Sequence, residues 1–171
     1  MKRLKSNILL KKAVEALGES DARGCFLVVG DENKANTMTI GWSSVGIMWA
    51  LPVFEVPVRV NRYSHEFIEK NNCFTICIGK EEVRQHLAFV GSKSGRDVDK
   101  FEACGLTLQK ARHIETPVIV ESDYVIECRV LGKTQLTKEN MDPQTHEKWY
   151  MRHEPGLHTL YKGEILDCYT P

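Results

Sequence analysis

Arg59, Asn61, Arg62, Tyr63 and Ser64 bring groups that hold an anion into one short stretch. A strand-like run, residues 53–60 (VFEVPVRV), leads into them and a helix-like run follows. A helix N-terminus presents unpaired N–H groups and about half a positive charge. Two guanidinium groups and a hydroxyl placed there suit a phosphate. The same residues would also serve as two solvated arginines ahead of an ordinary capped helix. A second cluster, residues 91–101 (GSKSGRDVDKF), is small, flexible and basic, and again precedes a helix start. Only three residues separate Gly91 from Gly95 and no Gly-Lys-Ser/Thr follows, so the Walker phosphate loop is not matched and ATP or GTP is not indicated. A third run, Asn36-Thr37-Met38-Thr39-Ile40-Gly41-Trp42, combines backbone polarity with small side chains and a flexible apolar one. A strand edge of this kind can hydrogen-bond a flat heterocycle while Met or Trp packs near its face, or it can be an ordinary hairpin strand.

Other chemistries lack their signatures. The histidines, His65, His86, His113, His146, His153 and His158, form no His-Glu-x-x-His motif, and no metal site is expected. No Gly-x-Ser-x-Gly elbow marks a serine hydrolase, and no Gly-x-Gly-x-x-Gly marks a Rossmann dinucleotide site. The six cysteines (Cys25, Cys73, Cys77, Cys104, Cys128, Cys168) contain no Cys-x-x-Cys pair and mostly sit in apolar runs. They are expected to be reduced and buried.

The elements that must carry these clusters follow from pattern. At 171 residues the chain is expected to be one domain over residues 1–171, able to bury roughly 70% of its unfolded surface. Lys+Arg and Asp+Glu are 23 each, a balance that argues against nucleic acid as a main partner. The N-terminus begins basic, but the apolar stretch Ile8-Leu9-Leu10 is too short for a secretory h-region, and no run approaches the roughly 20 residues of a membrane span. A cytoplasmic protein with no membrane partner is the expectation. A helix is predicted over residues 8–17. Strands are predicted over 25–30, 36–47, 53–60, 73–78, 106–108, 118–120, 124–133 and 157–169, the first two forming a hairpin around the polar turn 31–34. Pro57 should sit at an edge or bulge. Ser64 is read as an N-cap. Helices are also predicted from Glu81, with Val83, Leu87 and Val90 inward and Gly91 as the stop, and from a cap at Asp97, ending at Gly105. Residues 138–156 read as polar and irregular. Consecutive strands without full crossover helices point to a mainly β fold, an antiparallel barrel with short helices.

Three of these segments, N-T-M-T-I-G-W at 36–42, R-V-N-R-Y-S at 59–64 and S-G-R-D-V-D-K-F at 94–101, agree in order and spacing with one family. Together with H-T-L-Y-K-G-E-I at 158–165, the chain over residues 20–168 resembles the flavin reductase-like family, the FMN-binding split barrel, particularly its flavoredoxin-type members. The resemblance implies a six-stranded barrel core, non-covalent FMN, and a homodimer with flavin sites near the subunit interface. It implies that Asn36, Thr37, Met38, Thr39, Ile40, Gly41 and Trp42 line the isoalloxazine ring. Arg59, Asn61, Arg62, Tyr63 and Ser64 would hold the ribityl phosphate end. Ser94, Gly95, Asp97 and Lys100 would complete the pocket, with His158 an expected neighbour of the flavin. The implied reaction is hydride transfer from NADH or NADPH to FMN, with electrons passed on to a flavin, metal complex or protein acceptor. That hydride step needs no acid–base residue, so none is assigned. A flavoredoxin-type electron carrier reduced by a protein partner, and a relative binding a ligand other than flavin, are the alternatives.

Overall fold

A computed structural model of the protein describes residues 7–18, 24–151 and 156–171. Strand β1 (Cys25–Gly30) is buried at all six positions. The reason is packing on both faces: Leu27 and Val29 enter one apolar cluster with Phe54, Phe74 and Ile126, while Phe26 and Val28 enter a second with Val83, Leu87 and Val90. Neighbouring side chains on a strand alternate between faces, so a sheet covered on both sides demands a continuous apolar run. Each fully buried large side chain contributes about 1.5–3 kcal/mol. Strand β2 (Ala35–Ile40) pairs with β1 across a tight turn in which Asp31 Oδ1 accepts from the amides of Asn33 (2.9 Å) and Lys34 (3.1 Å). Gly30 makes that turn possible. Its φ is +99°, and a Cβ there would lie 2.2 Å from the Lys34 carbonyl oxygen.

The predicted run 36–47 divides in two. β2 ends at Ile40, and β3 (Ser44–Met48) pairs instead with β4 (Leu51–Arg59). The two-residue turn between them, Trp49-Ala50, has both φ angles positive (52° and 57°), the backbone that matches strand twist in a hairpin. With β5 (Cys73–Gly79), β8 (Ser122–Gln135) and β9 (His158–Tyr169), these strands form one antiparallel sheet ordered β2-β1-β5-β8-β9-β4-β3. The sheet thus has seven strands, where the resemblance implied a six-stranded core. Pro57 lies past the end of the β3 ladder, where only β9 pairs with β4, so its missing donor leaves no gap on that side. A separate ladder joins β6 (Leu108–Gln109) and β7 (Val118–Ile119).

The helices are short: α1 (Asn7–Gly18), α2 (Tyr63–Asn71), α3 (Glu81–Arg84), α4 (Leu87–Ser92), α5 (Lys100–Cys104) and α6 (Pro143–Tyr150). Four expectations need correction. Ser64 is not the cap of α2. The helix begins at Tyr63 with Arg62 at the N-cap position, and the Ser64 hydroxyl is instead buried against Asn36. The helix predicted from Asp97 starts later, because Asp99 accepts from the amides of Phe101 (2.9 Å) and Glu102 (3.1 Å); Gly105 closes it in the left-handed conformation, as expected. Residues 143–150 are helical rather than irregular. Asp142 caps them and Pro143 occupies the first helical position. The helix predicted from Glu81 is two pieces, α3 and α4, and runs one residue past Gly91, with Val83, Leu87 and Val90 buried as predicted.

All six cysteines are buried and unbridged. Burial raises the Cys77 thiol to about 11 and the Cys168 thiol to about 12, so both are inert thiols at neutral pH. His153 lies outside the described residues. Among the described residues no helix is long and apolar enough to cross a membrane.

Candidate flavin site

Helix α4 lies on β2. Thr39 Oγ1 donates to the Leu87 carbonyl (2.6 Å), and a Cβ at Gly91 would meet Thr39 at 3.2 Å. This contact carries the loop 93–96 to the N-terminus of α2, so two of the three sequence clusters meet. Between them is a cavity of about 190 Å³. Four basic side chains line it, Arg62, Lys93, Arg96 and Lys100, and no carboxylate does. Asn36 joins the clusters by donating Nδ2–H to Ser64 Oγ (2.9 Å) across a buried contact. Gly95 packs so tightly there that a Cβ would lie 1.9 Å from Asn36 Oδ1.

Lys100 is buried, and its Nζ donates to the carbonyls of Thr37 (2.7 Å) and Val90 (3.0 Å). An ammonium has three donors, so one is left to face the cavity. Burial first, and then the nearby Arg62 guanidinium, lowers its pKa to about 8. Arg62 makes no ion pair among the described residues. Arg96 pairs with Glu66 and lies 4.7 Å over the Tyr63 ring.

A second cavity of about 180 Å³ adjoins the first through Met38 and Arg62, which line both. Thr39, Ile40, Gly41 and Trp42 form one wall. Pro57, Arg59 and His158 form the other. Trp42 is half-exposed, edge-on to Trp149 at 5.2 Å and 5.5 Å from the His158 ring. Burial, then Arg59, then Arg62 push the His158 pKa down to about 4, so the ring is neutral at neutral pH. Tyr150 Oη lies 2.7 Å from His158 Nδ1, and burial raises the phenol above its ordinary range. The protonated phenol and the neutral imidazole share one hydrogen bond, which fixes the orientation of the ring.

The sequence-predicted residues therefore divide. Asn36, Met38, Asn61, Arg62, Tyr63 and Ser64 line the first cavity, together with Ser94, Gly95 and Lys100. Thr39 through Trp42, Arg59 and His158 line the second. Thr37 lines neither: its side chain is buried, and only its carbonyl reaches toward the site through Lys100. Asp97 faces a third, larger groove. Arg59 is directed away from the basic cavity. Its guanidinium donates to the carbonyls of Gly156 (3.1 Å) and Trp149 (3.4 Å) and lies 5.0 Å over the Tyr150 ring, fastening the end of α6 beside the second cavity. Sequence reasoning missed Lys93 and Arg96, whose signal was their basic type within the same loop. It also missed Trp149 and Tyr150, whose signal was the Asp142-Pro143 helix start.

The arrangement can hold an anion at one end and a flat ring at the other. Four cations without a carboxylate, and one spare ammonium donor, fit a phosphate monoester such as that of FMN.

The fold is shared with known proteins. An uncharacterized protein of Archaeoglobus fulgidus is 28% identical over 141 residues, covering 82% of this chain and 68% of that protein. Flavoredoxin of Desulfovibrio vulgaris (Miyazaki F) superposes with a TM-score of 0.66 at 23% identity, over 86% of this chain and 68% of the other. An FMN-binding protein from Thermus thermophilus with bound 1-cyclohex-2-enone superposes at 0.63, with 21% identity over 85% and 68%. The mainly β, split-barrel fold expected from sequence is the fold of these structures. The family model for the flavin reductase like domain matches residues 20–171, and the chain belongs to that family.

Proposed function

We propose that the chain is an FMN-binding oxidoreductase, an NAD(P)H-dependent flavin reductase that passes electrons to a flavin, metal complex or protein. The observation that carries this reading is the basic cavity, with four cations and no carboxylate, joined at Met38 and Arg62 to a cavity walled by Thr39, Ile40, Gly41 and Trp42. A ligand with a phosphate at one end and a planar ring at the other fits that pair. The Thermus thermophilus relative carries FMN in its name, which supports the same ligand here. When bound, the flavin supplies the redox chemistry, accepting a hydride from a nicotinamide nucleotide and releasing electrons to the acceptor.

This chain's residues bind and orient. Arg62, Lys93 and Lys100 neutralise the phosphate charge, each charge-assisted bond contributing about 1.5–3 kcal/mol. Arg59 holds the end of α6, where Trp149 packs edge-on against Trp42 of the ring cavity's wall. His158 presents a neutral imidazole, its Nδ1 held 2.7 Å from Tyr150 Oη. The homodimer belongs to the same reading: Ile47, Met48 and Trp49 leave an exposed apolar tip on the β3–β4 hairpin, the kind of surface that a second subunit covers.

Rapid anaerobic mixing of FMN-loaded protein with NADH or NADPH tests the reductase step. Saturable bleaching of the flavin absorbance is expected. Absent bleaching in a protein that holds FMN would replace it with the electron-carrier reading.

A further inference from the structure

The hydride step needs no acid. An acceptor that gains a hydride at one end of a double bond must still gain a proton at the other. Among the described residues that line the ring cavity, few can supply it. None is a carboxylate. Arg59, Arg62 and the Trp42 indole are donors that keep their protons. The Thr39 hydroxyl is committed to the Leu87 carbonyl at 2.6 Å. His158 remains, a side chain whose two nitrogens can give a proton on one side and take one on the other. Its Nδ1 lies 2.7 Å from Tyr150 Oη, and its Nε2 bonds to no described residue. One nitrogen thus faces a phenol, and the other is open to a ligand.

We propose that Tyr150 and His158 form a proton relay into the ring cavity, through which the chain reduces azo compounds as well as the acceptors named above. The proposal rests on the reductase reading and extends it to acceptors that need a proton with their hydride. The hydride, drawn from the nicotinamide nucleotide, adds to one nitrogen of the azo group, and the N=N π bond opens onto the other. His158 gives that nitrogen its Nε2 proton, while Nδ1 takes the phenol proton of Tyr150. The product is a hydrazine, and the pair is left as a neutral imidazole and a phenolate. Solvent then protonates Nε2, Nδ1 returns its proton to the phenolate, and the relay is restored. The charges around the pair favour this direction. The Arg59 guanidinium lies 5.0 Å over the Tyr150 ring, where it stabilises a phenolate. Burial, Arg59 and Arg62 hold the His158 pKa at about 4, so the ring passes a proton on rather than storing one. His146, stacked on Tyr150 at 6.0 Å, is the other titratable group against the pair. An azo arene also suits the shape of the site. It is flat, and the half-exposed Trp42, edge-on to Trp149 at 5.2 Å, offers it an aromatic neighbour.

Two measurements test the relay. In flavin-free, full-length protein, heteronuclear NMR of the His158 ring nitrogens is expected to show Nε2 protonated and Nδ1 bare. A proton on Nδ1 would overturn the proposal, because the phenol would then be the acceptor of the shared hydrogen bond. In FMN-loaded protein supplied with NADH or NADPH, turnover of methyl red is compared with turnover of ferricyanide, a one-electron acceptor that needs no proton. Tyr150→Phe keeps the ring beneath Arg59 and removes the hydroxyl. It is expected to slow methyl red roughly tenfold or more beyond any change with ferricyanide. Equal slowing of the two acceptors in the folded variant, or no slowing of either, would overturn the proposal. Turnover of ferricyanide without turnover of methyl red by the unaltered protein would overturn it too, and would leave the reductase reading standing. Turnover of neither acceptor by FMN-loaded protein would overturn the reductase reading and this proposal with it.

Discussion

Lys100 makes the basic cavity sensitive to pH in a way that can be worked out in advance. Burial and Arg62 bring its pKa to about 8, against an ordinary value of about 10.4. A phosphate dianion beside it favours the charged form and returns the pKa toward the ordinary range. Between those two values the ligand-free protein holds a neutral Lys100 and the complex a charged one, so binding takes up a proton. Affinity then falls about tenfold per pH unit above 8. From pH 8 to about 9.5 that is 1.5 units at 1.36 kcal/mol each, about 2 kcal/mol, or roughly 30-fold. The phosphate itself loses its second proton near pH 6 and contributes nothing in this window.

The assay is quenching of flavin fluorescence on titration with protein, at steps from about pH 7 to 9.5. FMN is expected to weaken on the slope just given, and riboflavin, which lacks the phosphate, to bind weakly with a flat profile. Lys100→Met should flatten the FMN profile and cost about 1.5–3 kcal/mol of affinity at neutral pH. A flat profile for the unaltered protein, or a slope that survives in a folded Lys100→Met, would refute the reasoning. The ligand-free protein has its own signature: the unfolded chain holds the Lys100 proton to higher pH than the folded one, so stability rises with pH between about 8 and 10.4.

Three further outcomes are expected. Arg59→Met should speed hydrogen exchange along α6, whose end it fastens, while FMN affinity changes less than about threefold, well short of the loss of one charge-assisted bond; a large affinity loss would move Arg59 into the phosphate site. Gly95→Ala should destabilise the fold by about 1–3 kcal/mol in thermal unfolding, because its methyl would meet Asn36 Oδ1 and break the Asn36–Ser64 contact; an unchanged melting temperature would contradict that packing. The folded His158 pKa of about 4 lies below the unfolded value near 6.5, so the unfolded chain binds more protons in between. Stability should fall by about 3 kcal/mol as pH drops through that window, and His158→Gln should remove this part of the loss in denaturant titrations at about pH 6.5 and 4.5.

What could be read from the sequence was what local pattern encodes. β1 and β5 were legible because strands covered on both faces must be apolar throughout, and the turn at Asp31–Lys34 because its hydrogen bonds close within three residues. The three motif segments named the walls of the site. Their division into two cavities was not legible, because it depends on contacts between distant positions. Ser64 looked like a cap, yet its hydroxyl meets Asn36, 28 residues away. Arg59 looked like Arg62, yet its partners are Trp149 and Gly156, some 90 residues on. Asp97 and Asp99 are equally good caps by type, and only the backbone path decides for Asp99. α6 buries none of its residues, and the Asp-Pro start was its local sign. β3 was hidden in a single β-prone run, because the break at residues 41–43 follows from which neighbour each half pairs with.

The central claim is that the cavity of Arg62, Lys93 and Lys100 holds the phosphate of a flavin. Calorimetric titration of FMN into flavin-free protein and into Arg62→Ala tests it most directly. One FMN per chain is predicted, with Arg62→Ala folded and weakened by about 1.5–3 kcal/mol, and with riboflavin insensitive to the substitution. FMN binding of equal strength to both proteins, or none to either, would contradict the account.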